Sequence, residues 1–140
     1  MENSKRTPTE QLRDVYKELE GEHAQILGLL AQAKSTAPSR DLLTLLEELH
    51  AVLQKHFARE SYPGGFYETI GACEAEYAAE LRVLVDEHFR ILSRLWTIIE
   101  STRRVDAESS RKIADDVVVV SDMLEAHERK EHGLAERLLN

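Results

Sequence analysis

The sequence predicts an all-α fold, an up-down-up-down four-helix bundle that forms a single domain over residues 1–140. Leu, Glu, Ala and Arg dominate the composition and favour helix, and the chain has only three prolines and six glycines. Four long segments carry apolar residues at alternating steps of three and four, the spacing that keeps side chains on one helix face. Three short connections join these segments, as in antiparallel bundles.

The first two predicted helices each have one inward face that includes a histidine. The first runs from residue 8 to about 34, with Thr7 as N-cap, Pro8 in the first turn and Glu10 as the reciprocal capping acid. Residues 1–7, up to and including the cap, are predicted to be a disordered tail. The inward residues of this helix are Leu12, Tyr16, Leu19, His23, Ile26 and Leu30. The second helix runs from about 40 to 61, and its inward residues are Leu42, Leu46, Leu49, Leu53, His56 and Glu60.

The last two predicted helices follow the same pattern. The segment "SYPGGFYETIG" (61–71) is predicted to be a loop, because it contains a proline and a glycine pair. The third helix then runs from about 72 to 103, with inward residues Leu81, Leu84, His88, Ile91, Leu95 and Ile98. Asp106 or Ser109 is expected to cap the fourth helix, which runs from about 108 to 138. Its inward residues are Val120, Leu124, His127, Glu131, Leu134 and Leu138.

The run "VVVV" (117–120) is the one place where a strand competes, because β-branched residues favour strands. A single short strand would have no partner in this chain. The run is therefore predicted to be helical.

Each predicted inward face contains one histidine, and two of them add a glutamate one turn later. A lone histidine on an apolar face is usually a core residue with a satisfied hydrogen bond, but an ionised glutamate is almost never fully buried without a partner. Six such residues in one small bundle predict a metal site. The predicted ligands are His23, His56, Glu60, His88, His127 and Glu131.

The ligand types indicate which metals this site would take. Imidazole and carboxylate suit iron, manganese or zinc, and no thiolate stands at these positions. Six ligands are too many for one tetrahedral zinc but suit two metals, with two histidines on each and Glu60 and Glu131 bridging. A bridging oxo or hydroxo group would add a fifth bond to each metal and leave one position for a small molecule. This is a di-iron arrangement that is able to meet O₂, peroxide or nitric oxide.

Four segments carry a resemblance to the hemerythrin-like family, also called the HHE cation-binding domain: "EGEHAQILGLL" (20–30), "HFARESYP" (56–63), "DEHFRIL" (86–92) and "AHERKE" (126–131). The resemblance covers roughly residues 10–139. It implies a four-helix bundle with a non-heme di-iron cofactor, and the six predicted ligands match the family's motif one by one.

The sequence departs from the oxygen-carrying members of that family at two places. Those members have a second histidine on the third helix and an aspartate five residues after the histidine of the fourth. Here Leu84 and Leu92 flank His88, and position 132 is a histidine. The pattern is closer to bacterial HHE proteins and to the iron-sensing domain of an F-box protein. Their roles include oxygen or iron sensing, peroxide breakdown and nitric-oxide response.

Several function classes are disfavoured by composition. A net charge of −8 without a basic block argues against nucleic-acid binding. No apolar run approaches membrane-spanning length, and the N-terminus has no apolar signal core. The single cysteine, Cys73, rules out an internal disulfide and fits a reducing compartment. We therefore expect a cytoplasmic protein that is a monomer or a weak homo-oligomer.

Other residues are assigned less direct roles. His50 is about 120° away from the His56–Glu60 line, so it is predicted to be a flank residue, with a spare-ligand role left open. Glu128 and His132 are expected outward or on the flank. Tyr16 is expected in the core near an opening, Tyr62 or Tyr67 is a possible neighbour of the metals, and Trp96, Phe57 and Cys73 are predicted to be packing or inert residues.

Four functions compete. The first is a di-iron protein that binds or senses a small oxidant, and the second is an enzyme that uses the same site to break down peroxide or handle nitric oxide. Ferritin-like iron storage is disfavoured by the ligand pattern, and a metal-free interaction module is disfavoured by the buried glutamates. The sequence does not separate the first two.

Overall fold

The structure, a computed structural model, describes residues 7–104 and 109–139. Residues 1–6 of the predicted tail and the candidate cap Asp106 lie outside these residues, whereas Thr7, the last residue of that tail, is ordered as a helix cap. A 3-10 turn over Ala75–Tyr77 precedes the long helix that begins at Ala78. The five α-helices are α1 (Pro8–Lys34), α2 (Arg40–Ser61), α3 (Phe66–Cys73), α4 (Ala78–Arg103) and α5 (Ser109–Leu139).

The four long helices form the predicted all-α bundle. α1 packs against α2 and α5, and α4 packs against the same two helices, so the order around the bundle is α1, α2, α4, α5. Helices α1 and α2 are joined by a short connection, as are α4 and α5, and each pair therefore forms an antiparallel hairpin. None of the described helices is both long and apolar enough to cross a bilayer.

The helix starts follow the predicted capping chemistry. The Thr7 hydroxyl accepts a hydrogen bond from the Glu10 backbone N–H at 3.1 Å, and the Glu10 carboxylate accepts one from the Thr7 N–H, also at 3.1 Å. Ser39 caps α2 by accepting a hydrogen bond from the Leu42 N–H at 3.2 Å. Each cap satisfies N–H groups that a helix start leaves unpaired.

The valine run lies inside α5, as predicted, and the described residues contain no strand. Val117 and Val120 are buried, while Val118 and Val119 face outward. The β-branched side chains therefore follow the helical period, and packing of the inward pair outweighs their preference for strands.

The segment after α2 differs from its prediction as a loop. The turn is confined to residues 62–65: Gly64 has φ +81°, and the Gly65 N–H donates to the Tyr62 carbonyl oxygen at 2.8 Å. Helix α3 follows at once and ends at Cys73, so it takes up the predicted start of the third long helix at about residue 72, and α4 starts only at Ala78. Apolar burial explains α3, because Phe66, Tyr67 and Ile70 are all buried against the bundle.

The bundle core has two apolar clusters with a polar layer between them. One cluster includes Ile26, Leu53, Ile91 and Leu124, all buried. The other lies at the end that α3 covers and contains Leu12, Leu19, Phe66, Leu84 and Leu134. Along each long helix the predicted histidine falls between residues of these two clusters or at the edge of one.

Candidate metal centre

The structure brings the six predicted ligands together in that polar layer. They form two groups, in each of which four ligand atoms lie within 4.8 Å of one another. The first group is His23, His56, Glu60 and Glu131, and the second is Glu60, His88, His127 and Glu131. Five of the six residues are buried, and the His23 side chain is the most accessible, at 11% exposed.

The two glutamates lie between the two histidine pairs. Glu60 presents Oε2 to His56 Nε2 at 3.1 Å and Oε1 to His88 Nε2 at 2.9 Å. Glu131 presents Oε1 to His23 Nε2 at 3.4 Å and Oε2 to His127 Nε2 at 3.3 Å. Each carboxylate therefore offers one oxygen to each group, which is the placement that a bridging ligand requires.

Unpaired polar atoms show that the layer fits a cation. Buried polar atoms normally have hydrogen-bond partners, because leaving one without a partner costs about 1–3 kcal/mol. Among the described residues, all four ligand atoms of the first group lack a hydrogen-bond partner, and so does one in the second, His127 Nε2. Their lone pairs converge on one region, where a metal ion would satisfy them together.

A second layer of carboxylates orients two of the histidines. Glu22 accepts a hydrogen bond from His56 Nδ1 at 2.7 Å, and Glu87 accepts one from His127 Nδ1 at 2.8 Å. Each carboxylate also forms an ion pair with a cation, Glu22 with Arg59 and Glu87 with Lys130. A proton held on Nδ1 leaves the Nε2 lone pair directed at the centre, as is common in metal sites.

The sequence contains a signal for these outer residues that the inward-face pattern misses. The acids Glu22 and Glu87 each directly precede a predicted ligand histidine. The cations Arg59 and Lys130 each stand three residues after the histidine of an HxxxE motif. The two hairpins therefore repeat one pattern, an EH pair on the first helix and a histidine, a cation and a glutamate on the second.

Tyr67 of α3 reaches into the second group. Its hydroxyl oxygen lies 2.7 Å from His88 Nε2, 2.8 Å from Glu131 Oε2 and 3.3 Å from Glu60 Oε1. Burial raises the pKa of Tyr67 above its ordinary value, and the nearby charges of Glu131 and Glu60 raise it further. Tyr62, the other tyrosine considered, is 64% exposed and lies outside the layer.

Charge within the layer is balanced by protons when no cation is bound. Burial by itself lowers the pKa of His23 and of His127, but the carboxylates of Glu131 and Glu60, 3.3–3.9 Å from each Nε2, raise each pKa to about 10. Burial likewise disfavours ionised Glu60, yet the histidines that surround its carboxylate hold its pKa well below the usual range. His23 and His127 are then imidazolium groups beside the buried carboxylates.

A pocket opens beside His23. It has a volume of about 430 Å³, and its lining includes Tyr16, His23, Glu128 and His132. The Tyr16 hydroxyl and His132 Nδ1 are hydrogen-bonded at 2.5 Å. Both outer residues lie as predicted: His132 points outward, and Glu128 lies on the flank. Glu128 Oε2 is 3.9 Å from His23 Nε2 and has no hydrogen-bond partner among the described residues.

The remaining sequence candidates lie away from the layer, apart from Phe57. His50 belongs to neither group and faces the Trp96 ring, with ring centroids 5.6 Å apart. Trp96 is 47% exposed under Arg103, so its prediction as a packing residue is only partly met. Phe57 is buried and stacks on the His88 ring at 3.9 Å, and Cys73 is half-buried with a free thiol.

Comparisons of the chain with protein-family models, with curated proteins and with solved structures find no match. The interpretation of the site therefore depends on its own side chains. Buried histidines and glutamates in this arrangement could hold a metal ion.

Proposed function

We propose that the chain is a non-heme di-iron protein of the hemerythrin-like kind, which binds or senses a small oxidant such as O₂, peroxide or nitric oxide. The observation that carries this proposal is the pair of carboxylates, Glu60 and Glu131, each with one oxygen toward each histidine pair. A carboxylate shared in this way suits two metal ions better than one.

The donor set supports iron as the metal. Each group offers two imidazole nitrogens and two carboxylate oxygens, and the only cysteine of the chain, Cys73, is in neither group. Such nitrogen and oxygen ligands suit iron, whereas soft sulfur ligands would favour copper(I), zinc or iron–sulfur clusters. When bound, a pair of irons supplies redox electrons and open coordination positions for a small oxidant.

The protein's own residues hold, orient and shield the site. Glu22 and Glu87 fix the rings of His56 and His127, and the two apolar clusters exclude water from above and below the layer. Access is from the flank, where the pocket lined by Tyr16 and Glu128 reaches the partly exposed His23. A pocket of this size admits a diatomic molecule or peroxide.

Iron content tests the metal part of the proposal. Protein purified from iron-replete cells is expected to carry about two irons per chain, because the two groups each offer four ligand atoms. His56→Ala should lose most of that iron. His50→Ala is the matched control on the same helix, since His50 faces Trp96 and should leave the count unchanged. One zinc per chain, or no metal, would overturn the di-iron assignment.

Reactivity tests the ligand part. The reduced, iron-loaded protein should change its visible spectrum when O₂, peroxide or nitric oxide is added, and the zinc-loaded protein should not. An iron-loaded protein that is unchanged by all three reagents would overturn the role in oxidant binding. Sustained gas evolution from peroxide would instead identify the peroxide-breaking enzyme that uses the same site.

A further inference from the structure

We propose that the phenolic oxygen of Tyr67 is a protein ligand of the metal held by His88 and His127. This inference rests on the proposed function and adds a seventh ligand to the six predicted from the sequence. It makes the two metal positions unequal, with five protein ligand atoms at this position and four at the other.

The distances around the Tyr67 oxygen carry the proposal. In an octahedral site with bonds of about 2.0–2.2 Å, neighbouring ligand atoms lie about 2.8–3.1 Å apart. The Tyr67 oxygen is 2.7 Å from His88 Nε2 and 2.8 Å from Glu131 Oε2. His88 Nε2 is itself 2.9 Å from Glu60 Oε1, which lies 3.3 Å from the Tyr67 oxygen. Two of these separations, 2.8 and 2.9 Å, fall in that range, and the other two, 2.7 and 3.3 Å, lie within about 0.2 Å of it.

Hydrogen bonding explains these contacts only if His88 Nε2 carries a proton. The Tyr67 hydroxyl can donate one hydrogen bond, to Glu131 Oε2, and can accept one from a protonated His88 Nε2. A nitrogen that binds a metal has no proton to donate, so with a metal on His88 the Tyr67 oxygen keeps its close contacts with three ligand atoms and has a single proton to share among them. Two carboxylate oxygens and an imidazole nitrogen that lie so close to one hydroxyl require either further protons or a cation among them. A metal ion supplies the charge that all four atoms require.

Helix α3 explains how Tyr67 is held in place. The residue is 6% exposed and follows Phe66, which is completely buried at the covered end of the bundle. The His88 ring stacks with two aromatic rings, with centroids 3.9 Å away for Phe57 and 5.5 Å away for Tyr67. The Tyr67 oxygen therefore already lies beside the ligand atoms of the second group, and coordination would require no rearrangement of the backbone.

The coordination step balances without a redox change. Binding of the phenolate to a ferric ion would break the phenolic O–H bond, form an iron–oxygen bond and release the proton to solvent. Because Tyr67 would then occupy a position beside His88 and His127, a small molecule would bind at the metal held by His23 and His56. That metal is the one beside the pocket of Tyr16 and Glu128.

The visible spectrum of the ferric protein tests the assignment. A phenolate bound to ferric iron gives an intense visible charge-transfer band and resonance-enhanced phenolate vibrations. Wild type should show both, and the vibrations should shift when the protein is labelled with ring-deuterated tyrosine. Tyr67→Phe should keep about two irons per chain and lose both features, whereas the controls Tyr62→Phe and Tyr16→Phe should retain them.

The outcomes separate the two proposals. A wild-type protein with about two irons and no phenolate vibrations overturns the role of Tyr67 and leaves the di-iron site standing. Phenolate vibrations that persist in Tyr67→Phe overturn it as well. Failure of the wild type to bind iron overturns the di-iron site itself. If Tyr67→Phe does not fold, the wild-type spectrum still tests the proposal together with the two control variants. Loss of the phenolate vibrations in Tyr16→Phe or Tyr62→Phe would assign them to that tyrosine and overturn the role of Tyr67.

Discussion

Glu131 is the residue whose side chain reaches both histidine pairs from α5. Its Oε1 faces His23 and its Oε2 faces His127, and the side chain is fully buried. Removal of this carboxylate therefore takes one ligand atom from each group and leaves Glu60 as the one remaining carboxylate that the two groups share.

We predict that Glu131→Ala lowers the iron content from about two per chain to less than about one, because both positions lose a ligand. Metal analysis of the purified variants measures this. Glu128→Ala is the matched control one turn earlier, and it should retain nearly all the iron because Glu128 belongs to neither group. His132→Ala should also retain nearly all the iron, whereas His127→Ala should lose iron as Glu131→Ala does. Loss of iron in His132→Ala but not in His127→Ala would contradict this assignment of the ligands.

Glu22 and Glu87 act on the metals through the histidines that they orient. We predict that Glu22→Gln and Glu87→Gln each weaken iron binding by about 10–100-fold, as is typical when an outer carboxylate is lost. Competition with a chelator measures the affinity. Glu18→Gln, one exposed turn before Glu22 on α1, should leave the affinity unchanged, and an equal loss in that control would remove the specific role of Glu22.

The six predicted ligands could be found from the sequence because they recur at the same helical spacing as the apolar residues that face the core. His56 and Glu60 stand on the same line as Leu49 and Leu53. Glu22 and Glu87 do not belong to the predicted inward faces of their helices. Only the packing of each helix against its neighbour brings them to His56 and His127. A single helix pattern contains no information on that contact.

Helix α3 shows where sequence patterns fail at the scale of the element. Its eight residues are too few to display a helical period, and they follow a proline and two glycines that signal a loop. The four long helices each contain several turns of the apolar repeat, and three of them begin within about one residue of their predicted starts. The fourth, α4, begins six residues late because α3 and the 3-10 turn occupy the intervening chain.

We predict opposite effects on stability for alanine at Gly65, which directly precedes α3, and at Gly71, which lies inside it. A Cβ at Gly65 would collide with the backbone carbonyl oxygens of Arg59 and Tyr62, so Gly65→Ala should destabilise the protein by more than about 1 kcal/mol. Gly71 lies inside α3 with nothing near a new Cβ, so Gly71→Ala should stabilise it by about 0.4–1 kcal/mol. Denaturant melts of both variants measure the difference, and equal stabilities would contradict this structure of the turn.

At the scale of the whole molecule, the ion pairs of the polar layer link stability to pH. The folded-state pKa values of His23 and His127, about 10, lie above the ordinary value of 6.5, so folding binds their protons more tightly. Their contribution is complete below about pH 6.5 and is lost as the pH rises through about 10. The pKa of Glu60 is lowered, so its contribution is present above the ordinary value of 4.5 and is lost on acidification.

We predict that the metal-free protein is most stable between about pH 4.5 and 6.5 and loses stability steadily from about pH 6.5 to 10. The iron-loaded protein should instead gain stability as the pH rises toward about 6.5 and then level off, because protons compete with the metal for the same nitrogens. Urea melts of the chelated and loaded forms across this range measure both profiles. Parallel profiles would show that metal and protons do not share these histidines.

The sharing of glutamates between groups has a mechanical consequence. The first group takes three residues from the α1–α2 hairpin and Glu131 from the other, and the second group takes three from the α4–α5 hairpin and Glu60 from the first. A metal in either position would thus be a cross-link between hairpins, set at mid-length of the bundle. The hairpins would resist sliding past each other most strongly there, and the hydrocarbon-packed ends would fluctuate more freely than the middle.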